Sequence, residues 1–142
     1  MSRLLIFMVL LAMGLTALTV LIFRKYQLHP LSKKHFLIIG FWAIILNLIA
    51  AHLTAIAMPT GLFMEHSSTA ALVYASFGGW GLYVKSLFMS VGFLGFLYCM
   101  KFLTRIKILD WDAMLLLIFY LNLLDVIVDS YGLFLARSLA LI

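Results

Sequence analysis

Four long apolar runs, separated by short polar segments, constrain this chain more than any other feature of its sequence. They cover residues 4–23, 36–58, about 72–100 and 113–134, and each can supply the roughly 20 apolar residues that a helix needs to cross a membrane. Backbone polar groups find no water in lipid, so a spanning segment must be a helix or part of a closed barrel. The ten-residue alternation typical of a barrel is absent from the sequence. The sequence therefore predicts an all-α membrane protein, a bundle of four transmembrane helices in one domain over residues 1–142.

The composition excludes several classes of protein. Hydrophobic residues make up 66% of the chain and charged residues 11%, whereas a soluble domain has about 45–50% apolar and about 25% charged residues. The sequence contains none of the GxSxG, HExxH, Walker A, GxGxxG or CxxCH motifs, and Cys99 is its one cysteine. We therefore expect a protein that is not an enzyme and has no intrachain disulfide.

Basic residues are concentrated in the first and third connecting segments. Residues 24–35 and 101–112 hold seven of them, whereas residues 59–70 hold none. The seven are Arg24, Lys25, Lys33, Lys34, Lys101, Arg105 and Lys107. The positive-inside rule places both basic segments on the cytoplasmic side and both termini on the other side. Membrane topology thus explains the net charge of +5, and no nucleic-acid partner is expected.

Small and polar residues recur with a seven-residue spacing in the last three runs, a spacing typical of helix-packing faces in left-handed bundles. The predicted packing seam consists of Gly40, Gly78, Gly81, Gly92, Gly95 and Gly132. Small residues let helix backbones approach closely in lipid. We therefore expect the second, third and fourth runs to form the core, with the first run more peripheral.

Six polar residues fall near the middle of the last three runs and are predicted to form one intramembrane cluster. They are Asn47, Thr54, Lys85, Asn122, Asp125 and Asp129. A charge at the bilayer centre costs about 2.5–3.5 kcal/mol, so Lys85 is expected to pair with Asp125 or Asp129. The other aspartate would meet Arg137, His52, water or a neighbouring subunit. The cluster is then a structural ion pair, an ion or proton pathway, or a contact for a cofactor or substrate.

No metal site is predicted, and bound lipids are the expected non-protein component. His52 would ligate a metal or haem only beside a second ligand, and a lone histidine is more often a hydrogen-bonded packing residue. Contact with haem or quinone therefore stays a minor alternative. Asp110 and Asp112 precede the fourth run, where negative charge favours a helix N-terminus.

Several positions resemble the pattern of an uncharacterised family of small bacterial and archaeal multi-pass membrane proteins. The positions are Leu46, Asn47, Thr54, Gly61, Glu65 and Lys85. That family carries L-N-x-x-D, a Thr or Ser, G-x-x-E-x-N-P and an intramembrane Lys. The resemblance covers about residues 36–131, with Ala50 in place of the family's Asp and no Asn-Pro after Glu65. It implies a helical bundle in a prokaryotic plasma membrane, leaves an organelle membrane open, and implies no chemistry.

Two functions are compatible with these features. The first is a non-enzymatic accessory or structural subunit of a larger membrane complex, whose partners are lipids and other transmembrane subunits. The second is a homo-oligomeric channel or transporter, in which Lys85, Asp125 and Asp129 line a path for ions or protons. The first is favoured because the chain has little mass outside its apolar runs and no catalytic motif.

Overall fold

The computed structural model describes residues 3–57, 68–104, 106 and 109–138, and its regular elements there are all helical. The helices are α1 (Arg3–Lys25), α2 (Lys33–Ala57), α3 (Ser68–Tyr98) and α4 (Trp111–Ser138), with a π-helix (Cys99–Leu103) after α3. Four helices are long and apolar enough to cross a membrane, as predicted. They cover the four apolar runs except residue 58, which lies outside the described residues.

The contact between α2 and α4 forms the centre of the molecule. α2 packs most extensively against α4 and also against α3, whereas α1 packs on α4. α3 touches α4 only briefly. The hydrophobic core nevertheless joins the last three helices, as expected. Its buried cluster includes Phe36 of α2, Leu94 and Leu97 of α3 and Leu115 of α4, and the partly buried Phe23 of α1 packs against it.

Small residues on α2 explain why this helix is central. Ala43 is 1% exposed, and Ala50, seven residues later on the same side of the helix, is also buried. Alanine side chains let neighbouring backbones approach closely, which in lipid replaces the hydrophobic drive for packing. The side-chain amide of Asn122 on α4 donates a hydrogen bond of 3.1 Å to the carbonyl of Ala43. This bond fixes the register between the two central helices.

The third helix is irregular at two places. Gly78 has a φ of 71° and a ψ of −160°, which breaks α3 into two helical parts. Only glycine adopts a positive φ without a steric penalty, so Gly78, expected in the packing seam, instead forms this break. At the other end, the π-helix is closed by a hydrogen bond of 3.0 Å from the amide of Thr104 to the carbonyl of Cys99.

Ala43→Leu tests the central contact. Ala43 is 1% exposed and its carbonyl accepts a hydrogen bond from Asn122, so a leucine would crowd this contact and we expect the free energy of unfolding to fall by about 1–3 kcal/mol. Unfolding in detergent, followed by circular dichroism, measures the change. Ala17→Leu is the control, because Ala17 is exposed on α1 and its replacement should change stability by less than about 0.5 kcal/mol. Equal losses in both variants would contradict the proposed centre.

Candidate functional site

Two members of the predicted polar cluster connect neighbouring helices. The amide nitrogen of Asn47 on α2 donates to the carbonyl of Ser86 at 3.2 Å and to the hydroxyl of Ser90, both on α3. Asn122 on α4 donates to the carbonyl of Ala43 on α2. Both asparagines therefore satisfy their donors across helix contacts, where a hydrogen bond also sets the register.

Thr54 and Lys85 have no hydrogen bond or ion pair with other members of the cluster among the described residues. The hydroxyl of Thr54 donates to the carbonyl of Ala50 on its own helix at 3.0 Å. Lys85 on α3 and Asp129 on α4 are half-buried, and Asp125 on α4 is exposed. Within the described residues, no ion pair includes Lys85. The expected pairing of Lys85 with an aspartate is not found there, because α3 lies against α2 and barely reaches α4.

The predicted glycine seam is split between packed and open positions. A methyl group added at Gly40 would touch Leu94 at 3.8 Å, an ordinary packing distance. A methyl group added at Gly92 or Gly95 would meet no described atom within 4 Å. Gly81 and Gly132 are half-buried, and Gly78 lies at the break of α3. On α3, the small residues thus lie mainly outside the helix contacts of this chain.

We call the side of α3 that carries Lys85, Gly92 and Gly95 the open face. Lys85 and Gly92 are seven residues apart and therefore share one side of the helix. Among the described residues, Lys85 has neither a hydrogen bond nor an ion pair. Phe88, which is 81% exposed, lies on this face between Lys85 and Gly92.

A second group of polar residues lies at the end of the bundle where α3 stops and α4 starts. Asp112 is 2% exposed, and one of its oxygens accepts a hydrogen bond of 2.8 Å from the amide of Leu31. The ammonium group of Lys101, carried on the π-helix, bonds the other oxygen. Lys101 also donates to the carbonyl of Leu31 at 2.7 Å. These contacts join the first connecting segment to the end of α3 and the start of α4.

His29 and Asp110 complete this group, which we call the end cluster (His29, Leu31, Lys101, Asp110 and Asp112). The Nε2 atom of His29 lies 3.4 Å from Asp110, and its Nδ1 atom lies 3.5 Å from Asp112. Asp110 also accepts a hydrogen bond of 3.2 Å from the amide of Ala113 and thereby caps α4. Asp110 thus stabilises the helix N-terminus as predicted, whereas Asp112 serves the connection between segments.

The sequence alone does not predict the end cluster. It indicates Lys101 only as a topology signal and Asp112 only as a partner of the helix dipole. The available signal was the pair of opposite charges at the two ends of the third connecting segment. This sequence signal is weak, because the sequence does not show how the chain turns between Lys101 and Asp112. In the structure, the π-helix makes that turn and the two side chains meet.

The end cluster contains three groups that can each offer one ligand atom to a cation. The ligand atoms of His29, Asp110 and Asp112 lie within 4.8 Å of one another, beside an open pocket of about 450 Å³. However, Lys101 and the amide of Leu31 already bond both oxygens of Asp112. A cation would have to compete with the lysine for this carboxylate, so we interpret the cluster as a connection between segments.

Two further side-chain pairs link helices that the sequence analysis did not connect. Thr19 on α1 and Tyr120 on α4 share a hydrogen bond of 2.6 Å. His52 on α2 and Tyr83 on α3 share one of 2.5 Å. His52, the metal candidate of the sequence analysis, therefore has the hydrogen-bonded environment of a packing residue.

Comparison with known proteins gives no match: no protein-family model, no curated protein and no solved structure is similar to this chain. The resemblance to small prokaryotic multi-pass proteins stays a prediction. The function of the chain therefore has to be inferred from its own residues.

Lys101→Met tests the end cluster. The variant leaves the carboxylate of Asp112 buried without its counter-charge, so we expect a loss of about 3–5 kcal/mol in the free energy of unfolding. The double variant Lys101→Met/Asp112→Leu should lose much less, because no unpaired charge remains. Detergent unfolding measures both. Lys34→Met is the control, since Lys34 is exposed at the same end. Additive losses in the double variant would show that the two side chains act independently.

Proposed function

We propose that this chain is a multi-pass integral membrane protein that acts as a non-enzymatic accessory subunit of a larger membrane complex. We further propose that it binds a neighbouring subunit through α3. The open face of α3 carries the proposal. On this face, Lys85 has no partner among the described residues. A methyl group added at Gly92 or Gly95 would meet no described atom within 4 Å.

The position of α3 supports this role. α3 packs mainly on α2 and only briefly on α4, which leaves its outer side uncovered by the described helices. Large apolar side chains there suit either lipid or another helix. Glycines favour a helix, because small residues allow the close backbone contact that drives association in lipid. Gly92 and Gly95 would supply that contact.

The arrangement of the charged residues gives less support to the transport alternative. That function requires Lys85, Asp125 and Asp129 to line one path. α3 and α4 contact each other only briefly. The cavity of about 260 Å³ among α2, α3 and α4 is lined by Asn47, Ser90 and Asn122 together with apolar side chains, and by none of the three charged residues. We therefore place the accessory role first.

The packing also supports the membrane orientation inferred from the charges. The contact between Leu31 and Asp112 brings the first and third connecting segments, which hold the basic residues, to the same end of the bundle. We propose that this end faces the cytoplasm, that both termini face the opposite side, and that the membrane is a prokaryotic plasma membrane.

Cysteine labelling in cells tests the orientation. In a Cys99→Ser background, a cysteine replacing Lys33 should be protected from a membrane-impermeant maleimide until the membrane is opened. A cysteine replacing Ser67, in the segment without basic residues, should react in intact cells. The opposite pattern would invert the topology.

Native extraction tests the accessory role. The tagged chain is solubilised in gentle detergent and separated on a native gel, and the band is analysed by mass spectrometry. We expect a partner at fixed stoichiometry, and we expect Gly92→Leu to release it by blocking the open face. Gly14→Leu is the matched control, because an added methyl group at Gly14 on α1 also meets no described atom within 4 Å. Migration as a monomer or homo-oligomer would contradict the accessory role.

A further inference from the structure

We infer that the partner is a transmembrane helix that carries an aspartate or glutamate near its middle, and that this carboxylate pairs with Lys85. The inference rests on the proposed function, since it identifies the chemistry of the neighbour that covers the open face of α3. The inference is based on the ammonium group of Lys85, which lies inside the membrane and which a carboxylate at the same depth would balance.

Lys85 lies too deep for its charge to reach water easily. It lies about 10 Å along α3 from the break at Gly78 and about 20 Å from the end of α3 at Tyr98, in the middle part of the apolar run of residues 72–100. A lysine side chain is shorter than either distance, so extending along the helix does not bring the ammonium group fully to the interface. The group therefore needs an acceptor inside the membrane.

The described part of this chain does not supply that acceptor. Its ion pairs all lie at the end cluster and join Arg24, His29 and Lys101 to Asp110 or Asp112. The described hydrogen bonds of α3 near Lys85 use Ser86 and Ser90, which face α2. Anionic lipid headgroups lie at the interface and not at mid-depth, so they do not replace a carboxylate. The acceptor that we infer for Lys85 is therefore a carboxylate on another transmembrane helix.

The shape of the open face suits such a helix. Gly92 lies about 10 Å along the helix from Lys85 on the same side, and Gly95 follows nearly one turn later. With no side chain at these positions, a partner backbone can approach closely, which brings an Asp or Glu within reach of the ammonium group. Phe88 projects from the face between Lys85 and Gly92 and restricts where the partner can lie.

Photo-crosslinking in native membranes tests the identity of the partner. A benzophenone amino acid replaces Phe88 in the full-length tagged chain, and the crosslinked peptide is sequenced after irradiation. We expect an apolar peptide of membrane-spanning length, from another protein, that contains an Asp or Glu near its middle. A spanning peptide without an acidic residue, a crosslink to lipid alone, or a crosslink to a second copy of this chain would each overturn the inference.

Substitutions at Lys85 separate this inference from the proposed function. Lys85→Met should lower the yield of co-purified partner about ten-fold or more, because the partner's carboxylate loses its counter-charge. Lys85→Arg should retain the partner. If Gly92→Leu releases the partner and Lys85→Met does not, the open face binds a subunit without an ion pair, and only the inference fails. If neither variant releases it, both proposals fail.

The stability of the isolated chain provides the control for folding. Lys85→Met, purified as a monomer, should unfold in detergent at the same or a higher temperature than the unsubstituted chain, because it removes a charge that no described residue balances. A clear loss of stability would show that Lys85 is used within this chain and would overturn the inference.

Discussion

The close contact between α2 and α4 determines the arrangement of the other helices. It is possible because Ala43 and Ala50 present almost no side chain to their neighbours, and Asn122 then bonds the backbone of α2 directly. Once α2 and α4 occupy the centre, α1 has only α4 to pack on and α3 mainly α2. The outer side of α3 is then left without a partner among the described helices, and this side is where we place the binding of a neighbour.

The end cluster holds the connecting segments in place by a different kind of interaction. Asp112 is buried, so its charge must be balanced and its oxygens must be bonded. Lys101 and the amide of Leu31 do both. The π-helix makes this possible, because its wider turn ends α3 with Lys101 directed at the start of α4. Burial of an ion pair is costly, but the pair selects one arrangement of the segments over others.

Two lysines of the same apolar region thus have different roles. Lys101 finds its carboxylate inside the chain, at the end of the bundle, and contributes to folding. Lys85 lies on the open face, where the described residues offer no acceptor. The difference follows from position and not from residue type. Near the end of a bundle, a connecting segment can fold over a charged side chain and provide its counter-charge. In the middle of a transmembrane helix, only another helix can provide the counter-charge.

The sequence by itself determined the four helices, because apolar runs of this length leave a backbone in lipid no other way to satisfy its hydrogen bonds. It also predicted that Asn47 and Asn122 lie on helix-packing faces and that Gly92 shares a side of its helix with Lys85. Only the tertiary structure decided that this side of α3 lies outside the bundle, that Gly78 breaks the helix, and that Asp112 meets Lys101. The physical reason is that helical periodicity specifies which residues share a face. Which neighbour covers that face depends on how closely each pair of helices can pack.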